Sequence, residues 1–463
     1  MNKSDLKKVS DYIWEIPKEY RGDMRVPARV FANEQLVADL FKDKSLEQLV
    51  NVATLPGIQK WALSMPDIHE GYGFPIGGVA AFDIKAGIIS PGGIGYDINC
   101  GVRLIKTPVA YDEIKSKIGE LATNLYYEVP SGVGKGGRLD LVNKEMDAVL
   151  AKGVDKMLKA GYATEDDKKH CESDGRLTDA DPDLVSKTAK SRGRDQLGTI
   201  GAGNHFVEVQ RVDTIFDKKA AESLGLYEDQ ITIMVHCGSR GLGHQNATDY
   251  IKTMMSAMPK YGISLPDPEL ACVPFSSPEG QNYWKAMNAC ANYAWANRQF
   301  ITWEIREAWK KTFGGNAEEL KLVYDVAHNL AKLEEYDGKK VVVHRKGATR
   351  SFPGQPVLIP GSMGTASYVL VGAPDSMELS FGSSCHGAGR VMSRTKAKKV
   401  VRGSVLKEEL EAQGIAIRSG SMAGLAEEAP IAYKDVEAVV DVVHGAGLAQ
   451  KVVRLKPVAV IKG

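Results

Sequence analysis

The sequence predicts an α+β fold built as one large mixed domain over residues 1–463. Two observations favour this class. Short apolar runs alternate with glycine-rich turns, but the helical segments between them do not recur as the regular strand–helix–strand units of a doubly wound sheet. The chain also contains no internal repeat and no long Pro/Ser linker that would mark a domain boundary. We therefore expect a single compact unit.

The apolar runs are expected to form buried strands, because they are short and are bounded by turn signals. Five of them lie at residues 231–235, 322–326, 340–343, 357–359 and 368–371. The longest helical pattern covers about residues 281–313, and its stripe at three- and four-residue spacing consists of Trp284, Met287, Ala291 and Trp295. This spacing is typical of a helix face packed in the core, so we assign the stripe no catalytic role.

The most polar part of the chain is the segment 164–182, which contains the run EDDKK. Its His170 and Cys171 match no motif that we can place. We expect this segment to be a polar excursion on the surface of the domain.

Composition and charge limit the classes of function. Apolar residues make up 43% of the chain and charged residues 25%, as in ordinary globular proteins. The net charge is +1, so nucleic acid would have to bind through a local basic patch. The six cysteines form no CxxC pair and the N-terminus has no signal-peptide pattern, so we expect reduced thiols in a cytoplasmic protein. No apolar stretch approaches the roughly 18 residues of a membrane span, so we expect no membrane association.

Histidines recur at one kind of position. Three predicted strands lead directly into His236, His328 and His344. His205 lies in the glycine turn GAGNH, and His386 lies in the turn CHGAG. A lone histidine at such a position is more often a hydrogen-bonded structural residue. Because five of the nine histidines share this setting, the pattern favours a metal site or an acid–base site.

The glycine loop GGIGYDINCG supplies two other types of ligand, Asp97 and Cys100. Both side chains can turn toward one ion, and a thiolate can bridge two ions. The alternative is a tight turn with a buried, inert cysteine, which the accompanying histidines make the poorer explanation. By ligand softness, a Cys/His/Asp set favours Zn²⁺ or Fe²⁺ before Mn²⁺, so these residues leave the metal open.

Two basic segments could hold phosphates. Residues 390–402 read RVMSRTKAKKVVR, with six basic residues and no acid, and begin within the His386 loop. Residues 344–350 read HRKGATR. Such runs are usually solvated surface, but guanidinium groups suit phosphate well.

Taken together, the motifs resemble those of the RtcB family of RNA ligases. The resemblance covers about residue 66 to the last residue and rests on seven motifs in the same order: GGIGYDINCGVR, GAGNHFVEVQ, HCGSRGLGH, YDVAHN, HRKGATR, PGSMGTASYVL and SSCHGAGRVMSR. It implies an α+β fold particular to that family and a pair of Mn²⁺ ions. By motif match, Cys100 would bridge the ions, Asp97 and His205 would complete one site, and His236 and His328 would complete the other.

The resemblance also implies a nucleotide site. His386 would take GMP from GTP, and Asp67 in MPDIHEG would orient it. The positions implied for the guanine nucleotide are Asn204, Glu208, Ser362, Ser367, Arg390, Tyr433 and Lys462. Positions that could contact the phosphates of RNA or nucleotide are Arg345, Lys346, Arg350, Arg390 and Arg394.

The implied activity is GTP-dependent joining of an RNA 3′-phosphate or 2′,3′-cyclic phosphate to a 5′-hydroxyl, in tRNA splicing, RNA repair or both. Family members differ in whether they need a small partner, archease. Two other classes of function stay open. A two-metal phosphohydrolase would use the same ligands but would acquire no covalent label from GTP. An RNA-binding subunit would use residues 390–402 and would bind without a metal.

Overall fold

The computed structural model describes residues 1–132, 134–315 and 317–463, and its mixture of helices and sheets confirms the predicted α+β class. In chain order, its strands are β1 (Lys7–Lys8), β2 (Ile13–Ile16), β3 (Ala28–Phe31), β4 (Ile58–His69), β5 (Ile76–Asp83), β6 (Ile88–Ile89), β7 (Gly101–Ala110), β8 (Phe206–Ile215), β9 (Gln230–Cys237), β10 (Val273–Pro274), β11 (Lys321–Ala327), β12 (Asn329–Tyr336), β13 (Lys339–Lys346), β14 (Ala348–Arg350), β15 (Pro356–Ile359), β16 (Ser367–Gly372), β17 (Ser383–Cys385), β18 (Ala416–Ser419) and β19 (Ala449–Lys462).

The α-helices differ widely in length. In chain order, they are α1 (Glu34–Val37), α2 (Ser45–Val52), α3 (Tyr111–Ile114), α4 (Ile118–Glu128), α5 (Lys144–Lys152), α6 (Val154–Lys159), α7 (Glu165–Lys169), α8 (Lys187–Gly193), α9 (Lys218–Leu224), α10 (Arg240–Ala257), α11 (Pro278–Phe313), α12 (Ser376–Ser380), α13 (Arg394–Val400), α14 (Gly403–Ala412), α15 (Met422–Glu427) and α16 (Val436–Gly445).

Two large sheets organise the molecule. The first has the strand order β1-β2-β3-β4-β5-β13-β12, and the second has the order β11-β7-β9-β8-β19-β16-β15, with β18 paired to β19. Neighbouring strands are antiparallel except for β3–β4 and β18–β19, which are parallel. The five predicted strands are β9, β11, β13, β15 and β16, and all five are confirmed.

The central strand β9 is buried on both faces, and this explains why its sequence is a continuous apolar run. Ile231, Ile233 and Val235 face one apolar core, and Met234 faces another. Successive side chains of a strand point to opposite faces, so burial of both faces removes the alternation of polar and apolar residues. A further core lies under the first sheet, against α2 and α16.

The predicted helix over about residues 281–313 is α11, which begins slightly earlier and ends at the same residue. Its first turn is fixed by Ser277, whose side chain accepts a hydrogen bond from Gly280 N, and by Pro278. It passes through the largest apolar core, and its predicted stripe is buried. Within the described part of the chain, no helix is both long enough and apolar enough to cross a membrane.

The segment 164–182 is not the surface excursion that its composition predicts. Glu165 and Lys169 are exposed, but Asp167 is fully buried and accepts two hydrogen bonds of 2.7 Å from Arg306. Glu172 is also buried and is paired with Lys332. Buried charges need such partners, and these partners lie far away in the sequence. A count of polar residues therefore could not distinguish this segment from a solvated loop.

Candidate metal centre and active site

Four neighbouring strands of the second sheet, in the order β11-β7-β9-β8, have one of their ends on the same side of the sheet. The strands β11 and β9 end there, and β7 and β8 begin there. In their register, Gly101 of β7 lies opposite Ala327 of β11 on one side and Cys237 of β9 on the other. The residues that this edge brings together are Cys100 before β7, His205 before β8, His236 near the end of β9, and His328 after β11. Strand register therefore places four candidate ligands side by side.

The side chains of these residues converge. The Cys100 Sγ atom lies 3.2 Å from His205 Nε2 and 3.3 Å from His236 Nε2. His236 Nε2 lies 3.3 Å from His328 Nε2. On the other side, His205 Nε2 lies 3.0 Å from Asp97 Oδ2. The structure thus brings together all five residues that the motif match assigns to metal ions.

The donor atoms fit a metal ion. Cys100, His205 and His236 form a buried group whose ligand atoms all lie within 4.8 Å of one another, so the group could hold an ion. Burial lowers the pKa of His236 and of His328 well below the usual value, which favours the neutral form that binds metals. Burial raises the pKa of the Cys100 thiol to about 12, so a cation would be needed to hold it as a thiolate.

Asp97 is oriented by the loop that follows β9. The backbone N–H of Ser239 donates to Asp97 Oδ1 at 2.8 Å, and the Ser239 hydroxyl lies 3.2 Å from the same oxygen. Burial acts to raise the pKa of Asp97, but the hydrogen bond and charge of His205 outweigh it and hold this pKa well below its usual range. The carboxylate is therefore ionised and points toward the cluster.

Helix α11 supports the cluster from behind. Its fully buried Arg298 donates to the backbone oxygens of Asn99 and Cys237, at 2.7 Å and 2.9 Å. The Arg298 charge is balanced by Asp325, which accepts from it at 2.8 Å. Asn99 in turn donates to the Ala291 carbonyl of α11 at 2.7 Å. The helix has no group in the cluster itself, but it fixes the two loops that carry the ligands.

His386 follows β17 and faces Asp67 of β4. Its Nδ1 lies 2.6 Å from Asp67 Oδ2, and its backbone N–H donates to the same oxygen at 3.1 Å. Because Asp67 is fully buried and accepts the Nδ1 proton, the lone pair of His386 is on Nε2. Gly389 makes this approach possible, since an added Cβ there would lie 2.3 Å from the Asp67 carbonyl oxygen. The His386 ring lies 4.8 Å from that of His328, between centroids.

A pocket opens beside His386 and contains His236 of the metal cluster in its wall. Five of the seven residues implied for guanine nucleotide line it: Asn204, Ser362, Arg390, Tyr433 and Lys462. The other two, Glu208 and Ser367, lie just outside the lining. Gln210 joins them, because its Nε2 donates to Glu208 Oε1 at 2.6 Å and to Ser367 Oγ at 3.1 Å. Burial raises the pKa of Glu208 to about 8, against the opposing effects of Gln210 and Lys462.

One wall of the pocket is an ion network around Glu428. This buried carboxylate accepts from Arg390 at 3.1 Å and from Arg394 at 3.0 Å, and it also bonds the Tyr433 hydroxyl. The Arg390 guanidinium covers one face of the Tyr433 ring at 4.8 Å from its centroid. Lys462 also lines the pocket, and its Nζ lies 6.0 Å from the Phe206 ring centroid. The wall therefore concentrates cations on one side of the pocket.

The charged side chains of HRKGATR do not line the pocket, so the structure does not support Arg345 and Lys346 as contacts for a phosphate bound there. Arg345 is buried in a two-pronged ion pair with Glu334, and Lys346 donates to backbone oxygens. Arg350 binds Gln355 at 2.7 Å. Arg345 and Lys346 are buried because β13 lies between β5 and β12, whereas Arg350 on β14 is partly exposed.

His344 is likewise not part of the cluster. It packs against Phe74 and Phe82, and the Ser90 backbone N–H donates to its Nε2 at 3.2 Å. Burial lowers the pKa of His344 to about 4. His344 is therefore a buried structural histidine, the more common kind at such a position. The sequence pattern alone did not distinguish it from the other four histidines.

Several residues that line the pocket were not among the predicted ones, and three of them have ionisable or aromatic side chains. His69 lines the pocket, and its Nδ1 lies 2.8 Å from the Asp67 carbonyl oxygen. Phe206 forms part of the wall beside Lys462. Both lie next to residues already singled out, so position in the motif could have identified them. Glu428 lies in no motif used above, and the sequence carries no signal for it.

A buried thiol–imidazole–carboxylate cluster beside a carboxylate-held histidine is the arrangement of a metal-dependent group-transfer enzyme. Residues 48–463 match the family model described as tRNA-splicing ligase RtcB. The chain is 55% identical to tRNA-splicing ligase RtcB of Thermococcus kodakarensis and 53% identical to that of Archaeoglobus fulgidus, over 99% of each chain. It is 50% identical to that of Methanococcus maripaludis over 100% of both chains. The chain therefore belongs to the RtcB family, a family of ligases.

Proposed function

We propose that this protein is a GTP-dependent RNA ligase that joins an RNA 3′-phosphate or 2′,3′-cyclic phosphate to a 5′-hydroxyl, as in tRNA splicing. One observation carries the proposal. His386 is held through Nδ1 by Asp67 at 2.6 Å, so its free Nε2 faces a pocket that is shared with the candidate metal ligands. A hydrolase would not need this oriented nucleophile, whereas a ligase that carries a nucleotide on a histidine needs it.

In the first step, His386 Nε2 attacks the α-phosphorus of GTP. A phosphorus–nitrogen bond forms, the bond from the α-phosphorus to the bridging oxygen breaks, and pyrophosphate leaves. The Nδ1 proton stays in the hydrogen bond to Asp67, which offsets the positive charge that develops on the ring. Arg390, Arg394 and Lys462 lie where they can balance the phosphate charge.

In the second step, an oxygen of the RNA 3′-phosphate attacks the phosphorus of the histidine-bound GMP and the phosphorus–nitrogen bond breaks. The RNA then carries GMP on its 3′-phosphate. In the third step, the 5′-hydroxyl of the other RNA attacks that 3′-phosphate, and GMP leaves as the new phosphodiester forms. A 2′,3′-cyclic phosphate is first opened by water to the 3′-phosphate.

Asp97, Cys100, His205, His236 and His328 would hold two Mn²⁺ ions. Ions bound there would neutralise phosphate charge and lower the pKa of an attacking hydroxyl or water. The fit rests on the donor atoms, since a buried thiol and three imidazoles within 3.2 to 3.3 Å of one another are an arrangement that a cation stabilises. Mn²⁺ itself comes from the family resemblance, because softness alone favours other metals.

Guanine selection is proposed to rest on Glu208 and Lys462. Glu208 would accept from the N1 and N2 hydrogens of guanine, and Lys462 would donate to O6 or N7. Adenine presents a donor where guanine has O6, and it has no N1 hydrogen. Leaving buried polar groups unpaired costs about 1–3 kcal/mol each, which would disfavour ATP strongly.

The direct test is intact-mass spectrometry after incubation with GTP and Mn²⁺. We expect the wild type to gain the mass of one GMP, and we expect His386→Ala to gain nothing. His444→Ala is the matched control, because His444 is exposed on α16, and this variant should be labelled like the wild type. An unlabelled wild type would instead favour the phosphohydrolase, and a labelled His386→Ala protein would place the nucleotide on another residue.

A further inference from the structure

Three aromatic side chains that the proposed reaction does not use form a stack at the surface. The rings of Tyr96 and His244 are parallel to within 18°, and their centroids are 4.9 Å apart. Tyr72 contacts the same tyrosine at 5.3 Å with a tilt of 60°. Tyr96 is half-buried beneath, whereas His244 is exposed. The stack therefore presents the outer part of a flat ring, already fixed in position, to solvent.

This stack lies beside one end of the metal cluster. Tyr96 immediately precedes Asp97, and His244 lies on the first turns of α10, which begins directly after Ser239. The helix and the Asp97 loop touch at Gly243, where an added Cβ would come within 3.3 Å of Ile98 N. The aromatic rings and the Asp97 carboxylate are therefore carried by the same two segments of chain.

The position of the stack along the cluster indicates what it faces. Starting from His386, the groups follow in the order His328, His236, His205 and Asp97, each in contact with the next. The nucleotide pocket reaches from His386 along this row to Asn204 and Phe206, whereas Asp97 and the stack lie outside its lining, at the other end of the row. In a displacement at phosphorus, the attacking oxygen enters opposite the leaving group. With GMP leaving at the His386 end, the attacking 5′-hydroxyl approaches from the Asp97 end.

Cations adjoin the stack and suit a nucleic-acid strand. Arg240, at the start of α10, is held by the Thr199 hydroxyl at 3.1 Å from its Nε. Arg192, on α8, is exposed, and its Cβ would lie 3.3 Å from a Cβ added to Gly241. Both arginines therefore lie at the first turn of the helix that carries His244. An aromatic face next to cations is a common way of binding a single-stranded nucleotide.

We propose that His244, supported from beneath by Tyr96, stacks against the base of the 5′-terminal nucleotide of the RNA that supplies the attacking hydroxyl. This inference rests on the proposed ligase function and adds a contact for one of its two RNA substrates. Stacking tolerates any base, because every base has a flat face. The contact would hold the 5′ end of any sequence in line with the activated phosphate.

The test compares His244→Ala with His244→Phe, which keeps a flat ring. We expect His244→Ala to raise the KM for the 5′-hydroxyl RNA about tenfold, and we expect His244→Phe to stay close to the wild type. GMP attachment from GTP involves no RNA, so its rate should be unchanged in both variants. Metal content should also be unchanged, because His244 is not one of the proposed ligands.

A substrate that lacks the 5′-terminal base completes the design. With this abasic RNA, the wild type should show the raised KM, and His244→Ala should add no further loss. An RNA that is abasic only at its 3′-terminal nucleotide should leave the effect of His244→Ala intact. Loss of the effect with that RNA instead would assign the stack to the other strand and would overturn the proposal.

Other results also overturn it. An unchanged KM in His244→Ala would show that the ring contacts no base, and a loss of metal or of GMP attachment would show a structural role. Failure of this proposal can be distinguished from failure of the proposed ligase function. If the wild type acquired no GMP, the dissociation constant of a fluorescent 5′-hydroxyl RNA for the metal-loaded protein would still report the contact, and equal affinities of intact and abasic RNA would refute it.

Discussion

The two halves of the site are built differently. The proposed metal half lies at the ends of four adjacent strands of one sheet, and its five candidate ligands lie in four motifs, because Asp97 and Cys100 share the loop before β7. The proposed nucleotide half is assembled from the His386 loop, the start of β8, residues 360–363, Glu428 and the end of β19. Sheet register therefore fixes the metal half, whereas the packing of distant segments fixes the nucleotide half.

The halves also differ in charge. In the metal half, burial holds the pKa values of His236 and His328 well below the usual range, so both rings are neutral. Burial also acts to lower the pKa of His205, but Cys237, Cys100 and Asp97 outweigh it and raise this pKa well above the usual value. The nucleotide half carries its own cations, Arg390, Arg394 and Lys462, with Glu428 between them. This difference predicts that a change in one half can leave the other intact.

The largest expected effect is that of His386→Ala, which should remove activity without disturbing the metal half. We expect His386→Ala to abolish both GMP attachment and ligation, because no other group replaces its Nε2 as the nucleophile. Metal content should stay at the wild-type level, since the proposed ligands are untouched. Ligation assays with metal analysis of the same preparation would check this, and loss of metal in the variant would show that the halves are not independent.

The substitution Cys100→Ala changes the metal half instead of the nucleotide half. It removes the sulfur that contacts both His205 and His236, so each of the two proposed metal sites would lose a ligand. We expect severe loss of bound metal by elemental analysis. Cys290→Ala, in the apolar core, and Cys171→Ala are the controls and should keep their metal. Equal metal content in all three proteins would make Cys100 an ordinary buried residue.

Within the nucleotide half, Lys462→Ala tests guanine selection. Lys462 is buried because β19 runs up to it and pairs it with Phe206, so the end of the chain is anchored here. We expect the preference for GTP over ATP to fall about tenfold, with metal content unchanged. Lys456→Ala, a half-exposed lysine on the same strand, should keep the preference. Rates of guanylylation and adenylylation measured in parallel would decide.

The smallest effect concerns pH and Glu208. Burial raises its pKa to about 8, so the carboxyl is largely protonated near neutral pH. Donors on guanine would favour the ionised form, so binding would release a proton and would tighten as the pH rises toward that pKa. Between about pH 7.5 and 8.5 we expect the dissociation constant of GTP to fall about threefold. Calorimetry on the His386→Ala protein, where no covalent step interferes, would measure this.

Glu208→Gln in the same background is the control for this pH dependence, because an amide does not titrate. The dissociation constant of GTP for this variant should not change over the same pH range. A pH dependence that survives the substitution would assign the titration to another group.

The raised pKa of Glu208 also affects stability. Between the ordinary carboxyl pKa and about 8, the folded state keeps a proton on Glu208 that the unfolded state has lost. This residue therefore makes the fold less stable as the pH rises toward about 8.

The two basic segments show where sequence reasoning stopped. HRKGATR and residues 390–402 are similar in composition, and both adjoin a histidine. Only the second reaches the pocket, through Arg390 and Arg394, whereas Arg345 of the first is buried against Glu334. Composition records how many charges a segment carries. Whether a charge meets a substrate or a buried partner depends on which strand lies beside it.

The sequence by itself determined the parts that are local. Runs of apolar residues predicted the strands, because residue type and length suffice there. Histidines at strand ends and in glycine turns, with Asp97 and Cys100 in a glycine loop, predicted a metal site or an acid–base site, and the family resemblance selected the five candidate ligands. The tertiary structure alone decided three things: that Glu428 organises the pocket wall, that Asp167 is buried against Arg306, and that His344 lies outside the cluster. Each depends on contacts between residues far apart in the chain, and such contacts are set by how the sheets and α11 pack together.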